Sequence, residues 1–350
     1  MNGRQAAISR REVLKLGAFG FVGWLLHRPL WSLVEGVFSV PPEPLAQGRI
    51  AADVVWAYDA PSKRAKPVRL YWRDLIVEIA GAAVDEDPTA YNRVWYRLAD
   101  GTYVYSGDVQ PVRTLLNEPP SSLPAHGQLG EVSVPFTDAH QAADPNSKVV
   151  YRLYYESTHW VMGVVNGSDG QPWLRLLDDK YEQFYFVPAT YVRLIPPEEL
   201  EPISPWVPPA EKRIDVRLRS QVALAYEAGQ LVFAARIASG SLHPSSRYAT
   251  PLGRFRTYYK RASRHMAAGD VAASGFDLPG VPWVLYIKDN GISLHGTYWH
   301  NDFGAPRSHG CINLAPAAAK WFYRWSLPTV PFERPFKLDF YQATRVDIVM

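Results

Sequence analysis

Six prolines fall within fourteen residues of this chain: Pro196, Pro197, Pro202, Pro205, Pro208 and Pro209. Each locks its own φ and lacks a backbone donor, so the stretch can continue neither a helix nor a central strand. The main boundary of the chain is placed there. A second cluster, Pro41-Pro42-Glu43-Pro44, closes off the N-terminus as a stiff linker. The prolines therefore divide the chain into 1–40, a linker at 41–49, two units at 50–118 and 128–195, a linker at 196–211, and a final domain over 212–350.

Composition narrows the classes. At 47% hydrophobic and 20% charged residues the chain can bury a sizeable core, which excludes global disorder. Thirty-seven basic against thirty-four acidic residues leave a net charge of +3, with no concentrated basic tract beyond the N-terminus. Charge-driven nucleic-acid binding is therefore not expected. The one cysteine, Cys311, can form no intramolecular disulfide and excludes a multi-cysteine zinc or iron–sulfur framework.

The N-terminus reads as an address. Ser9-Arg10-Arg11-Glu12-Val13-Leu14-Lys15 precedes an uncharged run from Leu16 to Leu26, which resembles a twin-arginine export signal. Those eleven residues are too few to span a bilayer as a helix. No clean cleavage site follows, so the segment is either removed or retained as an anchor. The expectation is an exported protein of the cell envelope, touching a membrane only through this segment if it is uncleaved. In an oxidising compartment an unpaired thiol is kept for chemistry or for intermolecular pairing.

Residues 50–195 show short aromatic and β-branched runs separated by turn residues, with little helical period. The runs repeat. Arg69-Leu70-Tyr71-Trp72 returns as Arg152-Leu153-Tyr154-Tyr155, Trp95-Tyr96-Arg97-Leu98 as Trp173-Leu174-Arg175-Leu176, and Tyr103-Val104-Tyr105 as Tyr185-Phe186-Val187. Two copies of some seventy residues suit two small, partly open β-barrels. They resemble bacterial SH3-like modules, which implies either binding and positioning on the cell wall or a spacer whose aromatics are core.

After the second linker, Ile214-x-Val216-x-Leu218, Gln221 to Tyr226 and Leu231 to Ile237 predict strand–turn–strand. Thr250-Pro251-Leu252-Gly253 fits a β-turn. An apolar run from Val281 to Ile287 breaks at Asp289-Asn290-Gly291 and resumes at Ile292-Ser293-Leu294, a buried hairpin that delivers His295 at a strand end. One helix is clear, with Pro316 in its first turn and Ala318, Trp321, Phe322 and Trp325 on one face. The fold expected is mainly β with few helices.

The chemistry lies between His295 and Asn313. Cys311 sits beside three histidines, His295, His300 and His309, with Gly296 and Gly310 flanking. A cysteine attacks as thiolate, and a nearby imidazole can take its proton or pair with it, lowering the thiol pKa. Gly310 lets backbone approach a ligand, so that its N–H and that of Cys311 can point at one oxygen. The same four side chains are also zinc-ligand types, but a nucleophilic role already accounts for the motif.

His295-Gly296, a stretch ending in Arg307, and then Ser308-His309-Gly310-Cys311-Ile312-Asn313 resemble the signature of the L,D-transpeptidases, a family with a YkuD-like, β-sandwich catalytic domain. Ser239-Gly240 and Thr250-Pro251-x-Gly253-x-Phe255 extend the likeness. The resemblance implies Cys311 as nucleophile and His295 as general base, oriented by the Gly296 carbonyl. It implies an oxyanion hole from the His309, Gly310 and Cys311 amides, with Ser308 and Asn313 shaping the loop. Tyr298 and Trp299 are candidate cleft walls. The implied reaction is acyl transfer on peptidoglycan: a thioacyl-enzyme forms on a donor tetrapeptide stem and an acceptor amine resolves it to a 3→3 cross-link, with no cofactor. The alternative is a wall-binding protein whose catalytic domain is hydrolytic, an L,D-carboxypeptidase, or vestigial. The stretch from Ser326 to Gln342 is longer than the family's usual return to its last strand.

Overall fold

The computed structural model describes residues 46–243, 245–270 and 275–350. The expected export segment lies outside the described residues. Within them the protein is mainly β, with one α-helix.

The first module is a seven-stranded sheet. Its strands are β1 (Ala46–Ile50), β2 (Val54–Tyr58), β3 (Pro67–Trp72), β4 (Ile76–Val84), β5 (Val94–Leu98), β6 (Tyr103–Tyr105) and β7 (Val109–Val112). They lie in the order β3-β2-β6-β5-β4-β1-β7. The second module has β8 (Gln128–Val132), β9 (Phe136–His140), β10 (Val149–Tyr154), β11 (Thr158–Asn166), β12 (Pro172–Asp178), β13 (Gln183–Pro188) and β14 (Val192–Leu194). Its order, β10-β9-β13-β12-β11-β8-β14, is that of the first with seven added to each strand. The linker expected at 41–49 ends early: β1 begins at Ala46 because Arg49 and Ile50 are buried between β4 and β7.

Register refines the repeat. Trp95 and Trp173 are equivalent, down to the irregularity that skips one residue before Gly81 in β4 and Gly163 in β11. The aromatic runs on either side are not aligned as their letters suggest. Val54 faces Trp72, and Phe136 faces Tyr154, so Trp72 corresponds to Tyr154. Val104 faces Tyr96 and Val187 faces Leu174, so Tyr105 corresponds to Pro188. Both alignments move by one residue, the step that exchanges the two faces of a strand. Core-facing Tyr71 then matches core-facing Leu153.

The last domain holds β15 (Lys212–Arg217), β16 (Val222–Glu227), β17 (Gln230–Ala238), β18 (Gly253–Arg256), β19 (Tyr259–Ala268), β20 (Phe276–Tyr286), β21 (Ser293–Gly296), β22 (Ile312–Leu314), α1 (Pro316–Trp325), β23 (Phe336–Leu338) and β24 (Arg345–Val349). The ten strands run β18-β24-β15-β16-β17-β22-β21-β20-β19-β23, with β15/β24 and β21/β22 parallel. The long segment before β24 adds β23 to the edge beside β19 and stacks Phe340 on Tyr258, centroids 4.7 Å apart. Proline at its first position starts α1 without a side-chain cap. Buried Lys212 and Lys260 finish it by donating to the carbonyls of Trp325, Tyr323 and Ser326.

The proline-rich linker is a boundary in sequence but not in packing. Leu129, Trp160 and Ile195 of the second module belong to the same apolar core as Ile214, Trp283 and Phe322. The linker itself docks: Glu199 reaches both Arg193 and Lys320, and Ile203 N–H donates to the Arg324 carbonyl.

Candidate active site

The site grows from two short parallel strands at the centre of the domain. β20 reads as a continuous apolar run because Val281 to Leu285 are wholly buried, and Gly291, at φ +93°, turns the chain back into β21. All four residues of β21 are buried. Pairing with β22 sets Leu294 opposite Ile312 and His295 opposite Asn313. One step back along the same register, Ser293 lies opposite Cys311, and His295 is diagonal to it on the same face. Ser293 Oγ stands 3.7 Å from Cys311 Sγ, which also lies 3.7 Å from the Gly291 carbonyl.

His295 is oriented by the residue that follows it. Its Nδ1–H donates to the Gly296 carbonyl at 2.9 Å, which fixes the tautomer and leaves Nε2 as a proton acceptor. Burial pulls its pKa down to about 4, opposed only in part by that carbonyl. Cys311 is half-buried. Desolvation pushes its thiol up, and Ser293 eases it back by hydrogen bonding. The two shifts favour the same resting state, neutral thiol beside neutral imidazole. This differs from the lowered thiol expected from a neighbouring histidine, because desolvation penalises both charged forms.

The loop between the strands is tied at each end. Ser308 Oγ donates to the Cys311 carbonyl at 2.5 Å and accepts the Gly310 N–H at 3.1 Å. Ser308 therefore shapes the turn, and the Gly310 amide expected in the oxyanion hole is engaged by Ser308 in this state. The exposed His309 packs edge-on against Tyr248, centroids 4.4 Å apart. Gly310 sits at φ +117°, where a side chain is strained. His300 is more than a loop residue. It is buried, its Nδ1 accepts the Asp302 N–H at 3.2 Å, and its Nε2 meets the Asn313 side-chain amide at 3.0 Å. Burial, reinforced by Arg307, lowers its pKa to about 3.

Tyr298 does not wall a cleft. It is buried, donates to the Pro279 carbonyl at 2.7 Å and packs 5.6 Å from Tyr154 of the second module. Trp299 does border the site, half-buried with its ring 5.7 Å from that of His295. Among the described residues no group of three or more His, Cys, Asp or Glu has metal-holding geometry.

Sequence reasoning missed three supports. Ser293 was visible only as a member of an apolar run, and its role depends on register. Thr250 Oγ1 accepts the Gly240 N–H and donates to the Gly310 carbonyl, both at 2.9 Å. Gln221 grips Ser239 from both ends of its side-chain amide. Gly240 must be glycine, since a Cβ there would lie 2.1 Å from the Tyr248 carbonyl and 2.8 Å from Gly310 Cα. A groove of about 500 Å³ opens beside Ser308, lined among others by Ser241, Tyr248 and, from the first module, Tyr91.

Residues 211–348 match the L,D-transpeptidase catalytic domain family, YkuD. The chain carries an L,D-transpeptidase catalytic domain. Solved structures similar to it include an L,D-transpeptidase from Mycobacterium smegmatis, 20% identical over 40% of this chain and 59% of that one, at a TM-score of 0.33. Another is from Xylanimonas cellulosilytica, 24% identical over 39% and 60%, at 0.28. A mutant of the Enterococcus faecium L,D-transpeptidase is 22% identical over 40% and 50%, at 0.31. The chain thus spans half to three fifths of the length of these three chains. No curated protein matches it.

Proposed function

We propose that the domain transfers acyl groups between peptidoglycan stem peptides, with Cys311 as nucleophile and His295 as base. The observation that carries this reading is the pairing of β21 with β22, which sets a tautomer-fixed imidazole diagonal to the chain's one thiol. His295 Nε2 takes the thiol proton as Sγ attacks the carbonyl ahead of the terminal D-alanine of a donor tetrapeptide. The S–C bond forms, the carbonyl oxygen gains negative charge, and the His309 and Cys311 amides are the donors left to meet it. Collapse breaks the C–N bond, and the imidazolium returns its proton to the departing D-alanine nitrogen. An acceptor amine then attacks the thioester carbon and gives a proton to His295 Nε2, the C–S bond breaks, the imidazolium returns the proton to the Cys311 sulfur, and a 3→3 cross-link remains. Starting from a neutral pair suits this order, because charge forms only when a carbonyl is in place to receive it.

The two modules hold the enzyme at the wall, in keeping with their likeness to SH3-like units, and the N-terminal segment directs the chain outside the cytoplasmic membrane. The test of the chemistry is direct. Incubation with a disaccharide-tetrapeptide should release D-alanine and leave an acyl mass on the intact protein, and Cys311→Ala should lose both. Absence of adduct and D-alanine from the wild type would refute acyl transfer at Cys311, and tripeptide without dimer would make water the acceptor.

A further inference from the structure

Residues 297–311 connect base to nucleophile without forming helix or strand. A connection this long needs partners for its polar groups. Its later part finds them in its own domain, where Gly304 N–H donates to Ile237 O at 2.7 Å, and Arg307 and Ser308 N–H both donate to Ser239 O. Its earlier part is held by the first module instead. Arg49, 1% exposed, donates to the Tyr298 carbonyl at 2.7 Å while Asp74 and Gln110 hold the rest of its guanidinium. Asn301 N–H donates to Gly107 O at 2.9 Å. The Tyr105 hydroxyl donates to Asp302 Oδ1 at 2.6 Å, and Asn92 approaches the same oxygen at 3.4 Å.

The fit leaves no slack. A Cβ on Gly107 would lie 2.8 Å from the Asp302 carboxyl. Asp302 in turn meets Arg307 at 3.0 Å, and its own N–H reaches His300, which is joined to Asn313 opposite His295. A continuous set of hydrogen bonds therefore leads from the first module to the strand pair that carries the site. The second module has no such equipment: register places Glu131, Pro188 and Thr190 where the first module has Arg49, Tyr105 and Gly107.

We propose that the first module is a built-in positioning element of the active site: Arg49, Tyr105 and Gly107 fix the 298–302 segment, so that turnover at Cys311 requires this module docked in cis. The proposal rests on the acyl-transfer reading for its kinetic arm only. None of the three residues contacts the reacting atoms, so their loss should lower kcat and leave donor KM nearly unchanged.

The experiment uses the whole chain with Tyr105→Phe, which removes one hydroxyl, and Gly107→Ala, which inserts a wedge against Asp302. Thr190→Ala, the equivalent site of the second module, is the control. Hydrogen exchange read by mass spectrometry should speed up about tenfold over residues 298–307 in both test variants, while β20 and α1 stay protected. D-alanine release should show kcat down about tenfold with KM within about twofold of wild type. Thr190→Ala should match wild type in both. Unchanged exchange over 298–307 in Tyr105→Phe and Gly107→Ala overturns the proposal, as does a loss that appears in KM. If the wild type releases no D-alanine, the functional reading falls and the exchange data alone decide this one.

Discussion

The two N-terminal modules share a frame and differ in what they do with it. In both, the first strand carries a glycine that admits the valine of the last strand. A Cβ on Gly48 would lie 2.6 Å from Val109, and one on Gly130 would lie 2.7 Å from Val192. In both, the residue after the third strand's turn stands in the left-handed region, Asp74 at φ +68° and Glu156 at φ +63°. Each donates its N–H at 2.9 Å to the same point of the first strand, Ile50 O and Val132 O. The charges on that frame are rearranged. The first module sets Arg49 against Asp74, with neutral Gln110 alongside. The second has Glu131 and Glu156 at those two positions, and Arg193 replaces Gln110 to pair with Glu131. A sheet fixes where side chains project and leaves their chemistry free, so the first copy hydrogen-bonds the 298–302 segment while the second meets it only through the Tyr154 ring and joins the shared core.

The largest test of this contrast is removal of the two equivalent first-strand charges. Arg49→Ala leaves Asp74 half-compensated and the Tyr298 carbonyl without its donor, at an expected cost of about 3–5 kcal/mol. Glu131→Ala removes a less buried partner from a pair that keeps Glu199 on Arg193, at about 1 kcal/mol or less. Urea unfolding of both variants measures the difference. Equal losses would mean that the first module's buried arginine has no special role.

Part of this was legible in advance. The motif from Ser308 to Asn313 named the site because few residue sets combine a lone thiol with flanking glycines and histidines. The helix followed from Pro316 and its apolar face, whereas the orientation of His295 by the Gly296 carbonyl came only through the family resemblance. Register was the main loss. Tyr103-Val104-Tyr105 and Tyr185-Phe186-Val187 look alike as letters, yet pairing with β5 and β12 moves them apart by one. A strand pattern rich in aromatics on both faces carries no mark of which side is buried. The contacts of Arg49 and Tyr105 with residues 298–302 span about two hundred positions or more, and no local pattern encodes them. The surroundings of Tyr298 are hidden for the same reason, since one of the rings packed against it, Tyr154, belongs to another module.

Acid sensitivity should be the next difference in size. The second module has His159 where the first has Val77. His159 is buried against Ser157 and Tyr185, and desolvation with nearby His265 lowers its pKa to about 3. The unfolded chain takes up a proton near 6.5 and the folded one does not, so stability is lost as pH falls from 6.5 toward 3. At pH 5 that amounts to about 2 kcal/mol. His265 works in the opposite sense. Burial opposes its charge, but Asp178 and Asp277 raise its pKa, and the stability it adds at low pH is lost as pH rises through its folded value. Urea midpoints at pH 7 and pH 5 should fall less steeply in His159→Gln than in wild type. An unchanged slope would remove His159 from the account.

The smallest effect, relief of a left-handed backbone, should end in opposite net signs in the two modules. Glycine is the residue best suited to φ near +65°, so replacing either Asp74 or Glu156 relieves the backbone. In the first module that gain is outweighed, because Asp74→Gly strips Arg49 of its carboxylate. In the second module Glu156 has no pairing to lose. Burial, and then repulsion by Glu131, raise its pKa to about 8. The folded state therefore holds a proton that the unfolded chain releases near 4.5, and the stability from that proton is lost as pH rises from 4.5 through 8. The backbone part of the gain in Glu156→Gly is about 1 kcal/mol, and loss of the titration adds to it as pH rises, so the gain is larger at pH 9 than at pH 5. Thermal unfolding of the two glycine variants across that range reads both signs. If both were destabilising by the same amount at every pH, the two positions would be alike in chemistry as well as in backbone.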